Sequence, residues 1–100
     1  YKIIVDSGKI WQRSHENGDS EPNLGMCDHP RGEIILDPNQ CNHSLLETLH
    51  HEWLHVAFYQ SGLTHLFNAE DEEKIVGLLS PALLANMRMN SEFVMKLIED

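Results

Sequence analysis

The twelve residues Thr48 to Tyr59 (TLHHEWLHVAFY) restrict what this chain can fold into more than any other stretch. Residues four apart lie on one face of an α-helix, so a helix here lets His51 and His55 close on a single metal ion with Glu52 beside them. Leu45, Leu46, Leu49, Trp53, Val56 and Ala57 recur at helical spacing and predict a broad buried side. Asn42 or Ser44 suits the N-cap. Ser44 with Glu47 three residues on fits a capping box, which predicts a start within a residue or two of Ser44. Gly62 is the expected stop.

The segments on either side predict an α+β fold. Tyr1 to Val5 (YKIIV) is short and β-branched, and Asp6-Ser7-Gly8 reads as a turn. Lys9 to His15 alternates enough to read as a second strand, making a hairpin with the first. Glu16 to Asn23 (ENGDSEPN) holds turn residues and is expected to be an exposed loop. Leu24 to Asp28 reads as a third strand. Glu33 to Asp37 (EIILD), after Pro30-Arg31-Gly32, has the strongest strand pattern in the chain. The expected sheet is small and mostly antiparallel, with three or four strands. After a connector over Thr64 to Asn68, the carboxylates of Glu70-Asp71-Glu72-Glu73 suit the positive end of a second helix. Ile75, Val76, Leu78, Leu79, Leu83 and Leu84 form its apolar face, and Pro81 is expected to kink or restart it near Leu79. Ser91 to Glu99 reads as a last short helix. One hundred residues suffice for one domain, 1–100, with a modest core.

Composition narrows the setting. A net charge of −9, with seven Lys and Arg and no basic cluster, argues against direct DNA or RNA binding and for a peptide-like or cationic partner. No apolar run approaches the ~20 residues of a membrane span, and the N-terminus lacks the regions of a signal peptide. A soluble, cytoplasmic protein is expected. The chain opens directly on a strand-like segment, which reads as a start inside the native gene product or close to its beginning. Cys27 and Cys41 are too far apart for a CxxC pair and are expected to be free thiols; Gly25-Met26-Cys27-Asp28-His29 also offers potential metal ligands, but Cys27 reads more readily as a small half-buried strand residue.

His51-Glu52-Trp53-Leu54-His55 is the HExxH pattern of zinc peptidases. With seven His and ten Glu, chance alone places it in about one such sequence in twenty. Two further features count against chance: both histidines are in register on an amphipathic helix, and a glutamate-headed helix follows. A catalytic zinc takes three protein ligands and keeps a fourth position for water. Glu72 is the expected third ligand, because it precedes Ile75, Val76 and Leu79 by three, four and seven residues and so shares their buried face. Glu73 is the close alternative and Glu70 a poorer one, while Asp71 is expected in solvent. His65 would complete a three-histidine site but lacks the midway glycine. Glu52 is the candidate general base for a metal-bound water. Trp53 and Leu54 are expected to pack. Tyr59, one turn after His55, reads more readily as a core tyrosine than as an oxyanion donor, and His50 as a surface or supporting residue facing away from the metal. An extended substrate would lie along Glu33 to Asp37 as the sheet edge.

The run Gly25-Met26-Cys27-Asp28, Pro30-Arg31-Gly32-Glu33-Ile34-Ile35-Leu36, Thr48-Leu49-His50-His51-Glu52-Trp53-Leu54-His55, Glu72-Glu73-Lys74-Ile75-Val76 and Leu78-Leu79-Ser80-Pro81-Ala82-Leu83-Leu84 resembles the minimal HExxH metallopeptidases of phages and prophages. More distantly it is similar to ImmA/IrrE-type peptidases and other gluzincin-type zincins. The resemblance covers nearly the whole chain, with HExxH its diagnostic part. It implies a zincin core, zinc held by His51, His55 and Glu72, and Glu52 as base. Ile75 and Val76 stand where larger gluzincins often carry Asp, Asn or Ala, so support for the histidines has to come from elsewhere. The short chain implies an open, shallow cleft. The expected function is a zinc-dependent endopeptidase selective for a specific protein substrate; the alternative is a noncatalytic zinc-binding module for protein interaction.

Overall fold

A three-stranded sheet with four helices makes up the computed structural model, which describes residues 1–16 and 24–99. The fold is α+β, as expected. β1 (Lys2–Val5) pairs parallel with β3 (Glu33–Leu36), and β2 (Gly25–Asp28) pairs antiparallel with it, giving the order β1-β3-β2. The sheet is therefore mixed, and no hairpin leads it.

The reason lies in Lys9 to His15, which is not a strand. Ser7–Glu16 forms helix α1 instead. Asp6, taken for a turn residue, acts as its cap: its carboxylate accepts the Lys9 amide at 3.1 Å and its carbonyl the Ile10 amide. Ile10 is buried and Arg13, three residues on, reaches Asp28 and Glu33 at the paired ends of β2 and β3. A three-residue spacing from an apolar anchor to a buried cation is a helical period, and it outweighs the loose alternation. The expected loop falls outside the described residues, except for Glu16, which ends α1.

Ile34, Ile35 and Leu36 are all buried, which requires cover on both faces of β3. Ile34 and Leu36 pack with Val56, Cys27, Leu45 and Leu49 on one side. Side chains alternate along a strand, so Glu33 and Ile35 turn to the other side, where α1 lies. Glu33 to Asp37 is thus no sheet edge, because β3 is the central strand. The edges are β1 and β2.

Helix α2 (Asn42–Ser61) carries the histidine motif. It begins earlier than the capping box implied: Cys41 occupies the cap position without a side-chain bond, and the Ser44 hydroxyl bonds Gln40 Oε1 at 2.6 Å. Gly62 ends the helix in the left-handed conformation, φ 84°, as expected. The buried side is narrower than the apolar spacing suggested. His50, Glu52, Val56 and Phe58 are buried, whereas Leu46 and Trp53 are more than two-fifths exposed.

A 3-10 turn over Leu63–His65 leads to α3 (Ala69–Met89), whose first turn is capped by Asn68 accepting the Asp71 amide at 2.7 Å. Pro81 neither breaks nor restarts α3. Its ring removes one main-chain bond, but Val76, Ser80 and Leu84 are buried on either side of it and hold the helix in place. Helix α4 (Ser91–Glu99) follows. Among the described residues no helix is long and apolar enough to cross a membrane.

Candidate metal centre

Helices α2 and α3 pack side by side, and the first turn of α3 meets the middle of α2. One turn of helix separates His51 from His55, and their rings stand 5.0 Å apart. The carboxylate of Glu73 spans the two: Oε1 lies 2.9 Å from His51 Nε2 and Oε2 lies 2.8 Å from His55 Nε2. These three residues offer ligand atoms all within 4.8 Å of one another. Glu73 is well exposed, so the corner opens to solvent on its side.

Glu72, expected at that corner, is placed elsewhere. It is buried, and its Oε2 lies 2.6 Å from His55 Nδ1 while Oε1 accepts the Thr64 hydroxyl. Glu72 does lie on the inward face of α3 with Val76, as its helical spacing predicts. The inward position, however, is the Nδ1 side of His55, and the Nε2 side belongs to the next residue round the helix. Burial works to raise the Glu72 pKa, but hydrogen bonds from Thr64 and His55 outweigh it and hold the carboxyl below its usual value. An ionised carboxylate only accepts hydrogen bonds. Each His55 nitrogen therefore needs a proton or a cation facing its glutamate. Glu72 on Nδ1 orients the ring and fixes the proton there, which leaves Nε2 free to act as a ligand.

Glu52 is buried beside the corner. Cys27 on β2 donates its thiol to Glu52 Oε2 at 3.1 Å and to the Glu52 carbonyl at 3.2 Å. Burial and the nearby Glu52 carboxylate push the Cys27 pKa up, so the sulfur stays a thiol and a donor. Cys27 is half-buried on its strand, as expected, and holds the candidate base as well. Gly25 makes this approach possible, because a Cβ there would collide with the Thr48 methyl and stand 3.1 Å from Leu36 Cδ2.

The remaining candidates separate clearly. His50 is buried and its Nδ1 bonds the Ser80 hydroxyl at 2.7 Å, tying α2 to α3. Burial pushes its pKa down. It is a supporting residue and not a surface one. Tyr59 is half exposed, not a core tyrosine, and stacks on His29 with ring centroids 4.2 Å apart. His65 is exposed in the 3-10 turn, Glu70 pairs with Lys74 at 3.3 Å, and Asp71 is exposed as expected. Of the motif's inner pair, Leu54 is half-buried while Trp53 is largely exposed.

The sequence assigns no specific role to Thr64 or Ser80 and offers His29 only as one of several potential metal ligands; each is joined to its neighbours by a contact between elements. Two clefts meet at the corner: a groove of about 570 Å³ running between α2 and α3 toward Arg88, and one of about 430 Å³ bounded by Gly25, Met26, Cys27 and His29 on the β2 side.

No protein-family model matches the chain, and neither a curated protein nor a solved structure is significantly similar to it.

Proposed function

We propose that the chain is a metal-dependent peptidase in which His51, His55 and Glu73 hold a zinc ion and Glu52 is the general base. One observation carries this reading: Glu73 faces Nε2 of both motif histidines while Glu72 occupies Nδ1 of His55. Two imidazoles and one carboxylate with an open side are the donor set of a catalytic zinc. When bound, zinc lowers the pKa of a coordinated water to near ~7 and polarises a substrate carbonyl. Glu52, held by the Cys27 thiol, takes the water's proton and passes it to the leaving amine. Among the described residues β2 is an edge strand, and it borders the cleft and offers main-chain partners to an extended peptide. The substrate on this reading is one specific protein, because clefts so open to solvent suit selective cleavage better than general digestion.

Zinc affinity separates the two glutamates. Glu73→Ala is expected to reduce it by more than about 100-fold and Glu72→Ala by about 10–100-fold, the range for a group that orients a ligand. A larger loss at Glu72 would return it to the ligand set. Glu52→Gln is expected to bind zinc as the parent does and to abolish cleavage of the physiological substrate. Retention of the biological effect in that variant would instead support a noncatalytic zinc-binding interaction module.

A further inference from the structure

The site has a base and a ligand set, and peptide hydrolysis also requires a donor for the oxygen that gains charge. Tyr59 does not line the cleft that holds His51, Glu52, His55 and Glu73. What it stacks on is better placed. His29 follows β2 directly and lines the same cleft as His51, Glu52, His55 and Glu73. Its ring lies parallel to Tyr59 within 4°, and Tyr1 meets it edge-on from another side. The Tyr1 hydroxyl is 2.7 Å from His29 Nδ1. Among the described residues Nε2 has no hydrogen-bond partner.

From this arrangement, and resting on the peptidase reading above, we infer that His29 is the catalytic donor to the oxyanion, its Nε2–H facing the carbonyl oxygen of the bound peptide. The contact lets the Tyr1 hydroxyl donate to Nδ1, and in that tautomer the imidazole's single proton is on Nε2. Burial lowers the pKa of His29, which favours the neutral ring. Addition of water forms a C–O bond, moves the carbonyl π pair onto oxygen and sends the water's proton to Glu52. His29 donates a hydrogen bond to that oxygen without giving up its proton. Collapse returns the pair, breaks the C–N bond and delivers the Glu52 proton to the amine. Tyr1 and Tyr59 are positioning residues: one sets the tautomer, the other the plane of the ring.

The role is testable without a known substrate. The full chain is loaded with Co2+, whose visible spectrum reports its ligands, and titrated with N-phosphoryl leucinamide, whose tetrahedral oxygens copy the attacked carbon. His29→Phe keeps a ring to stack on Tyr59 and removes the donor. It is expected to weaken probe binding about tenfold or more with Co2+ affinity unchanged. His29→Gln, which retains an N–H, is expected to weaken it less, and Tyr1→Phe to give an intermediate loss in a protein with the parent's thermal unfolding. Equal probe binding by His29→Phe and the parent overturns the inference, as does a matching loss of Co2+ affinity, which marks a structural role. Parent protein that takes up no Co2+ overturns the metal centre itself, and this role with it.

Discussion

Both nitrogens of His55 face carboxylates, and this division of labour defines the site at the scale of single residues. Glu72 and Thr64 form a relay behind Nδ1, fixing which nitrogen is free. The arrangement supplies from α3 and the connector the support that Ile75 and Val76 cannot give. His50 shows the opposite use of an imidazole. Its Nδ1 is bonded to Ser80 in the interior, at the interface of α2 and α3. Ser80→Ala strands that nitrogen and is expected to cost about 1–3 kcal/mol of unfolding free energy, measured by denaturant titration. A change within experimental error would mean that water or a shifted ring satisfies His50.

Among the elements, the close approach of β2 to α2 governs the geometry of the base. Gly25 lies against Thr48 and the Glu52 side chain, and Cys27 two residues along reaches Glu52. Gly25→Ala must push the strand away from the helix. The expected cost is about 1–3 kcal/mol of stability, as for other overpacked sites, with a weakened Cys27–Glu52 contact. Retention of the parent's melting temperature would show that Thr48 can move aside. Helix α3 shows how packing overrides a local rule: Pro81 lacks an amide proton, yet the buried stripe of Val76, Ser80 and Leu84 continues past it. In α1 the reverse holds, since a local cap at Asp6 and the anchor Ile10 create a helix where alternation suggested a strand.

For the whole molecule, the net charge of −9 means that a cation taken up at the α2–α3 corner, as proposed above, would be stabilising. Glu52, Glu72 and Glu73 come from two helices to one small region, and a bound divalent ion offsets their mutual repulsion. On the proposed ligand set an ion would join both helices and so favour the folded state by mass action. Zinc at 100 times its dissociation constant is expected to add about 2.7 kcal/mol. In a domain of this size that raises the melting temperature by roughly 10–20 °C. A melting temperature indifferent to both zinc and a chelator would remove the metal from the account.

What the sequence by itself determined was what local periodicity and turn chemistry encode: the helix that sets His51 and His55 in register, its stop at Gly62, the strands β2 and β3, and, of the apolar residues expected to face inward on α3, Val76 and Leu84, whereas Leu78, Leu79 and Leu83 are exposed. Tertiary structure alone decided which strand lies at the edge, which loop histidine joins the cleft, and which glutamate faces Nε2. Helical spacing identifies the residues that point toward a neighbouring helix. It does not say how far round that neighbour each one lands. Glu72 and Glu73 are adjacent in sequence and about 100° apart around α3, and the packing of α3 on α2 gave the inner one to Nδ1 of His55 and the outer one to both Nε2 atoms.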